Sequence, residues 1–277
     1  MKLEIIRKYP EQKSAYPPLF FIHGAYAGAW CWDIHFTEYF VKQGFEVHAV
    51  SLQGHGESPG KDCLWCYGME DYLREVRAIV REMDEAPVLI GHSMGGYVVQ
   101  KCMTDSQTRT AGAVLMASVP PQGMMGPVIR MWWCYPHLCN KLNLINIMPK
   151  WTWEKIVSLD ELRKLIFSEY TRIDTVKKLL PFIQHESLRA QTDMALTVCI
   201  CPGKNRKPVL VLGGEEDIIV PPEFVRETAK TYHAEMNIFP KTGHALMVED
   251  RWEAVADFMC KWLKKNYGAC ESENPVR

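Results

Sequence analysis

The sequence lacks both an excess of charge of one sign and a long uninterrupted apolar segment. Its 277 residues include 32 Lys and Arg against 33 Asp and Glu, a formal net charge of −1. Such a balance provides no extended field to attract nucleic acid or anionic lipid. No apolar run reaches the length that spans a bilayer. We therefore expect neither nucleic acid nor an integral membrane segment to be involved in its function.

The first eight residues lack the apolar core that a signal peptide requires, because four charged side chains interrupt them. No signal peptide is predicted there, and we expect a cytoplasmic protein. Within the cytoplasm cysteine thiols stay reduced, which governs how the ten cysteines of the chain are interpreted.

The cysteines lack the complete spacing of a metal site. Cys63 and Cys66 have the spacing of half a zinc or redox site. No second pair of this kind with a nearby histidine completes the set, and the pair does not lie between a strand and a helix as in a redox motif. We predict free, mostly buried thiols and no metal.

The remaining composition is that of a globular protein, with 47% hydrophobic and 23% charged residues. Short apolar segments alternate with amphipathic helical segments up to residue 119 and again from about residue 208. This alternation predicts an α/β fold with a doubly wound, mostly parallel sheet. The fully apolar segment 111–117 is typical of a parallel strand that is buried on both faces.

Residues 120–203 show no clear strand pattern, but they contain several helical segments. The clearest begins with Ser158 and Glu161, which form a capping box ahead of an apolar helical pattern. The sequence therefore predicts a discontinuous core of residues 1–119 and 204–277, with a helical cap, residues 120–203, inserted between core strands.

The most informative segment is residues 87–96, PVLIGHSMGG. An apolar run ends there in Gly91-His92-Ser93-Met94-Gly95, followed by residues of helical composition. This pattern predicts a strand, a sharp turn and a helix, with Ser93 held up on the turn as a nucleophile. Because strand and helix approach closely in such a turn, only very small residues fit at positions 91 and 95.

Two further groups fit a nucleophilic serine. Asp217 follows the predicted strand at 208–214, and His244 lies in a short loop before the last helix. Serine needs an imidazole base, and the imidazole needs a carboxylate to fix its tautomer. The chain order Ser93, Asp217, His244 is the order of a G-x-S-x-G elbow on an α/β sheet. Glu215 and Glu216 stay open as alternatives to Asp217.

The small-residue loop at 23–30, HGAYAGAW, follows another predicted strand. With little side chain to pack, it is suited to present backbone N–H groups to a developing oxyanion. The neighbouring histidines have other expected roles. His23 and His55 are interpreted as structural, and His92 is expected to point away from Ser93.

Taken together, these motifs resemble the α/β-hydrolase superfamily, in its serine esterase and lipase branch, over about residues 18–265. The motifs that carry the resemblance are His23-Gly24 before the small-residue loop, Gly54-His55-Gly56-Glu57-Ser58, Gly91-His92-Ser93-Met94-Gly95-Gly96, Gly213-Gly214-Glu215-Glu216-Asp217 with Pro221, and Gly243-His244 with Glu249. The resemblance implies that the N–H groups of Ala25 and Met94 form the oxyanion hole and that Tyr26 overhangs the pocket. No cofactor is implied.

The sequence also departs from the family pattern. Ser51 and Gln53 occupy positions where the family often has aspartate and arginine, so the usual brace of the 54–58 loop is missing. Serine at the nucleophile position argues against epoxide hydrolase and haloalkane dehalogenase chemistry. The 23–30 loop resembles that of plant methylesterases and hydroxynitrile lyases. Gly24 and Ala245 stand where the lyases have threonine and lysine, which favours hydrolysis.

Residues 124–135 are rich in methionine and aromatic side chains and are interpreted as a wall of an apolar pocket. Tyr26, His92 and Trp133 are the candidate substrate-binding residues. The expected activity is hydrolysis of small to medium apolar carboxylic esters through an acyl-enzyme. Carbon–carbon bond hydrolysis of dienoic diketones, or a non-catalytic small-molecule receptor, are the alternatives. A monomer and a homodimer are both left open.

Overall fold

A computed structural model describes residues 2–12, 15–196, 199–202 and 207–268. Seven strands form one sheet in the spatial order β1-β3-β2-β4-β5-β6-β7. The strands are β1 (Ile5–Lys8), β2 (Leu19–Ile22), β3 (Val47–Val50), β4 (Val88–His92), β5 (Gly112–Met116), β6 (Val209–Gly214) and β7 (Glu235–Phe239). Only the β1–β3 pairing is antiparallel, and the five others are parallel. The predicted mostly parallel α/β sheet is confirmed.

Helices cover both faces of this sheet. Those of the core are α1 (Trp30–Asp33), α2 (Phe36–Lys42), α3 (Met69–Glu82), α4 (Met94–Thr104), α11 (Pro222–Tyr232) and α12 (Trp252–Tyr267). Strand β2, with the sequence LFFI, is buried along its whole length. Leu19 and Phe21 pack in the layer of α2 and α12, whereas Phe20 and Ile22 pack with α3 and α4. Alternate side chains of one strand thus enter opposite layers, which requires the continuous apolar run.

The described residues between β5 and β6 contain helices and no strand. We call this stretch the cap segment. Its helices are α5 (Met125–Cys134), α6 (Pro136–Ile147), α7 (Trp153–Ile156), α8 (Leu159–Ile166), α9 (Ile173–Leu179) and α10 (Leu188–Ala195). The capping box is confirmed at α8, because Ser158 Oγ accepts from Glu161 N and the Glu161 carboxylate accepts from Ser158 N. The division into a separate core and cap stays a prediction, and its boundary at residue 203 lies outside the described residues.

The free thiols are distributed differently from the prediction. All nine cysteines in the described ranges are free, but only Cys31, Cys102, Cys139 and Cys260 are buried. Of the others, Cys134 lies on α5 and Cys63 and Cys66 lie in a short 3₁₀ helix at the surface. The expectation of mostly buried thiols is therefore wrong, because several cysteines fall on surface elements. Cys270 lies outside the described residues.

Among the residues that the structure describes, no helix is both long and apolar enough to cross a bilayer.

Candidate active site

Ser93 lies on the turn between β4 and α4 with φ 50° and ψ −114°, a conformation that costs free energy for any residue other than glycine. The turn is held because Ser93 N donates to the Met116 carbonyl at 3.0 Å. A Cβ on Gly91 would lie 2.3 Å from the Gly95 carbonyl oxygen, and one on Gly95 would lie 2.4 Å from the Ile22 carbonyl oxygen. The predicted need for glycine on both sides of Ser93 is confirmed.

Asp217 follows β6 and lies next to His244. Its Oδ2 accepts a hydrogen bond from His244 Nδ1 at 2.7 Å, and its Oδ1 accepts from the amides of Ile219 and Val220, each at 2.8 Å. Both side chains are buried. Because Nδ1 carries the proton toward the carboxylate, Nε2 is the ring nitrogen left to act as a base.

The alternatives to Asp217 are directed elsewhere. Glu215 Oε2 accepts from Lys241 N at 3.3 Å, and Glu216 Oε2 accepts from Glu169 N at 2.9 Å. Asp217 is thus the acid of this acidic run that the fold brings to His244.

A buried carboxylate anchors the loop that carries His244. Glu249 accepts hydrogen bonds from Gly243 N at 2.7 Å, from Ser168 Oγ at 2.9 Å and from Thr171 Oγ1 at 3.0 Å. Burial raises the pKa of the Glu249 carboxyl, against the lowering effect of these hydrogen bonds. Since Ser168 and Thr171 belong to the cap segment, Glu249 links the histidine loop to that segment.

His92, a candidate substrate-binding residue, joins the nucleophile turn to the histidine loop. Its Nε2 donates to the carbonyl oxygen of His244 at 2.9 Å, and the two rings lie 4.8 Å apart. Burial, followed by the nearby His244, holds the pKa of His92 well below its ordinary value, so the ring is neutral. Its Nδ1 faces Gly24, where a Cβ would lie only 2.5 Å away. A threonine at position 24 would therefore collide with His92.

Ala25 and Met94 flank Ser93 from two elements. Ala25 follows β2, and Met94 is the first residue of α4. The first N–H groups of a helix have no acceptor within the helix, so the Met94 amide is free of intrahelical bonding. Both residues line the cavity that also contains Ser93 and His244. The structure thus brings together all five residues predicted for the triad and the oxyanion hole.

Tyr26 adopts a left-handed conformation with φ 65°, and residues of the cap segment hold it there. Its N–H donates to Glu186 Oε2 at 3.1 Å, and its carbonyl accepts from Gln184 N at 3.0 Å. Its hydroxyl bonds the side-chain oxygen of Asn146 on α6. We call residues 184–186 the cap strap. Sequence reasoning missed the strap, because its residues show no motif and lie far along the chain from Tyr26.

The cap strap also binds the 54–58 loop. Gln184 Nε2 donates to the Gly54 carbonyl at 2.9 Å, and Gly56 N donates to Gln184 Oε1 at 2.9 Å.

Glu186 Oε2 lies 3.0 Å from His55 Nε2, and both side chains are fully buried. His55 Nδ1 lies 3.2 Å from the Gln53 carbonyl. Since each ring nitrogen faces an acceptor, the ring is doubly protonated. Burial, the largest single cause, lowers the pKa of His55, but the Glu186 carboxylate, the Gln53 carbonyl and the Glu75 carboxylate together outweigh it and the pKa is raised overall.

His23 is the neutral counterpart of His55, whose ring is 4.9 Å away. Its Nε2 accepts from Leu52 N at 3.0 Å, and its Nδ1 donates to the Gly24 carbonyl at 2.8 Å. Burial and then the charge of His55 lower the pKa of His23 to about 3. Both histidines fix loops that follow the carboxyl ends of β2 and β3, in line with the structural role predicted for them.

Glu4 supplies the brace that the sequence appeared to lack. Its Oε2 accepts from Ser51 Oγ at 2.5 Å and from Glu57 N at 2.9 Å. Ser51 Oγ in turn accepts from Ala29 N at 2.8 Å. A carboxylate from the residue just before β1 thus takes the role of the missing aspartate, which no pattern near residue 51 could reveal.

A cavity of 570 Å³ opens beside Ser93 and His244. Tyr26 and His92 contribute to its wall. Its walls are mainly apolar side chains, among them Trp30, Met124, Val128, Met131, Leu142, Ile147, Phe167, Leu179 and Met247. Its polar lining outside the triad includes Asn143, Asn146, Gln191 and Thr192.

Trp133 is not part of this cavity, contrary to the expectation. Its side chain is 80% exposed, whereas Met131 is 4% exposed and lines the cavity. Two residues advance an α-helix by about 200°, so Trp133 points away from the side on which Met131 is buried. The predicted aromatic and methionine wall is therefore formed by Met124, Val128 and Met131 of this region.

The sequence is similar to those of known hydrolases. A model of the alpha/beta hydrolase family matches residues 19–258. The bifunctional esterase/perhydrolase DCH of Acinetobacter calcoaceticus is 35% identical over 111 residues, a match that spans 38% of this chain and 38% of that protein. The AB hydrolase superfamily protein YisY of Bacillus subtilis is 22% identical over 254 residues, spanning 84% of this chain and 87% of YisY.

Solved structures show the same fold. The malate-bound thermophilic esterase of Thermogutta terrifontis superposes with a TM-score of 0.73 at 20% identity, covering 96% of this chain and 94% of the esterase. The esterase EaEST of Exiguobacterium antarcticum superposes with a TM-score of 0.74 at 14% identity, covering 95% of each chain. At such identities the likeness establishes the fold, whereas the reaction has to be argued from the site.

Proposed function

Because the chain belongs to the alpha/beta hydrolase family, we propose that it is a serine hydrolase that cleaves carboxylic esters of small to medium apolar substrates. The observation that carries this proposal is the 2.7 Å hydrogen bond between Asp217 and His244, at a cavity that Ser93 also lines. A nucleophile, an oriented base and an apolar pocket at one site are the parts that acyl transfer requires.

In the proposed mechanism, His244 Nε2 accepts the proton of the Ser93 hydroxyl as the oxygen attacks the ester carbonyl. Asp217 stabilises the imidazolium that results. The N–H groups of Ala25 and Met94 donate to the oxyanion of the tetrahedral intermediate. His244 then gives its proton to the leaving alcohol. Water, deprotonated by His244, releases the acid from the acyl-enzyme.

The cavity supports an uncharged apolar substrate. Its described lining contains no arginine or lysine. Carbon–carbon bond hydrolysis of a dienoic diketone would need a cationic side chain near the substrate carboxylate. The four arginines in the described part of the cap segment each pair with a carboxylate of the protein: Arg130 with Glu223, Arg163 with Asp160, Arg172 with Asp250 and Arg189 with Asp71. This arrangement favours ester hydrolysis over carbon–carbon bond cleavage.

The test is hydrolysis of p-nitrophenyl esters from acetate to palmitate by the wild type and by Ser93→Ala. We expect turnover with an optimum at a short to medium acyl chain, and a loss of roughly 10⁴-fold or more in kcat for Ser93→Ala. Ser158→Ala, which changes an exposed capping serine, should keep wild-type activity.

Equal background rates in the wild type and Ser93→Ala would contradict the proposal. Binding of apolar esters without turnover would instead support a receptor on this fold.

A further inference from the structure

We propose that the cap strap, residues 184–186, positions the oxyanion hole, with Glu186 as the main positioning residue. This inference rests on the proposed ester hydrolase function. It assigns a role in transition-state stabilisation to a part of the cap segment that does not touch the reacting atoms.

The strap holds both peptide groups of the residue that follows Ala25. The peptide N–H of Tyr26 donates to Glu186 Oε2 at 3.1 Å, and its carbonyl accepts from Gln184 N at 3.0 Å. Tyr26 has φ 65°, a left-handed conformation that is unfavourable for a residue with a Cβ. The structure around Tyr26 must therefore supply the free energy that keeps it there.

The direction of the Ala25 amide depends on this arrangement. Ala25 and Tyr26 are consecutive in a loop that is rich in glycine and alanine, so side-chain packing within the loop does little to fix its backbone. If Tyr26 relaxed to a negative φ, the chain on either side would turn, and the Ala25 N–H, the proposed oxyanion donor beside Ser93 in the cavity, would change its direction. An oxyanion donor must lie within about 3 Å of the developing charge, so a small rotation is costly.

The buried charge of His55 fixes Glu186. The carboxylate lies 3.0 Å from His55 Nε2, and neither side chain is exposed. Its other oxygen accepts from Ser187 N at 2.6 Å. If Glu186 moved away, the charge of His55 would stay buried without a partner, which is costly. The ion pair therefore holds the Glu186 side chain in place. Glu186 is therefore a fixed acceptor for Tyr26, not a mobile surface side chain.

The experiment compares the wild type with three single variants: Glu186→Ala, Glu186→Gln and a control. Glutamine keeps an oxygen acceptor at the same length for the Tyr26 N–H, whereas alanine removes it. Asp193→Ala is the matched control: Asp193 Oδ2 accepts from Met69 N at 2.9 Å. This is another contact from the cap segment to the core, but it does not involve the 23–30 loop.

We expect Glu186→Ala to lower kcat on p-nitrophenyl esters by about 10- to 100-fold with KM changed less than about 2-fold. Inhibition by an aliphatic trifluoromethyl ketone, whose adduct with Ser93 carries an oxyanion, should weaken by the same factor. Glu186→Gln should recover at least part of both losses. Asp193→Ala should leave both values near those of the wild type.

Two results would overturn the inference. If Glu186→Ala lowers the Tm but leaves kcat and ketone inhibition unchanged, the strap is structural only. If Asp193→Ala weakens ketone inhibition as much as Glu186→Ala does, the effect comes from docking of the cap segment in general. A wild type that neither turns over esters nor forms the ketone adduct would overturn the proposed function itself.

Discussion

Asp217 uses both of its carboxylate oxygens, and this explains why one acid of a run of three is placed to serve His244. The amides of Ile219 and Val220 bind Oδ1, which leaves Oδ2 directed at the ring. The two adjacent glutamates have longer side chains, and these side chains point from the end of β6 toward Lys241 N and Glu169 N. The selection is therefore made by the turn after β6 and not by the acidity of the residue.

Asp217→Asn tests this selection. The side-chain oxygen can still accept from the two amides, so the turn should persist, but the NH₂ group would face His244 Nδ1 and favour the wrong tautomer. We expect kcat on p-nitrophenyl butyrate to fall by roughly 10⁴-fold, as for the same change in other Ser-His-Asp triads. The unfolding midpoint should change little.

Glu215→Gln is the control for this prediction, because Glu215 is exposed and its carboxylate accepts only from Lys241 N among the hydrogen bonds described. If Glu215→Gln lost its activity and Asp217→Asn kept it, the proposal that Asp217 is the acid partner of His244 would be wrong.

At the scale of residues, the sequence predicted the groups that carry local motifs. Ser93, Asp217 and His244 could be proposed from the sequence because each follows a strand-like segment in a fixed chain order, and the structure places Asp217 against His244. Glu4 and Glu186 were not found, because each acts on a loop distant in the sequence. Trp133 was placed wrongly because composition indicates that a segment is apolar but not which of its faces is buried.

At the scale of elements, the contact between β4 and α4 sets the backbone geometry of Ser93, the proposed nucleophile. The two glycines around Ser93 let backbone meet backbone without intervening side chains. No neighbouring side chain could move aside to admit a Cβ at these positions, because the atoms in the way belong to the main chain. The elbow therefore tolerates less change than an ordinary core position.

Gly91→Ala should for this reason destabilise the fold by about 1–3 kcal/mol and lower activity. A Cβ at position 91 would meet the Gly95 carbonyl oxygen at 2.3 Å. Gly126→Ala in α5 is the control, because its Cβ would meet only the ring of Phe224, at 2.9 Å. There alanine also favours the helix, so we expect a change within about 1 kcal/mol. Urea unfolding curves of both variants measure the difference, and equal midpoints would contradict it.

The ends of the elements followed from sequence to within two residues where local signals exist. The sequence predicts a helix over residues 69–83 and a last helix over about 251–265. The structure has these helices at Met69–Glu82 and Trp252–Tyr267. The sequence predicted the class of the sheet, mostly parallel, but not the spatial order of its strands. Pairings such as Ile22 with Gly91 depend on how whole layers pack, which periodicity along the chain does not contain.

At the scale of the whole molecule, stability depends on three buried histidines whose charges differ. His23 and His92 have lowered pKa values and are neutral in the fold, whereas His55 has a raised pKa and is charged. A lowered histidine pKa means that the unfolded chain binds more protons below pH 6.5. A raised pKa contributes stability that is present at low pH and lost as the pH rises through it.

We therefore expect the free energy of unfolding to fall as the pH decreases from 6.5 to 5. Well below pH 6.5, His23 and His92 should each contribute a slope of about 1.4 kcal/mol per pH unit. Urea unfolding at pH 7, 6 and 5 checks this prediction. Burial raises the pKa of Glu75 to about 7, so this carboxyl contributes a slope of opposite sign over the same range, smaller than that of the two histidines together. His137→Gln, at an exposed position, should show the same slope as the wild type, and a free energy of unfolding that rises as the pH decreases would contradict the neutral assignment.

The cap strap has a consequence for how the protein assembles. Glu186 and Tyr26 are separated by 160 of the 277 residues, so more than half of the chain lies between the two partners of this contact. Closing so long a loop is entropically expensive, and contacts of this separation form late in folding. We therefore expect the cap strap to close on Tyr26 after the sheet has formed, so that the oxyanion hole proposed above is completed late in folding.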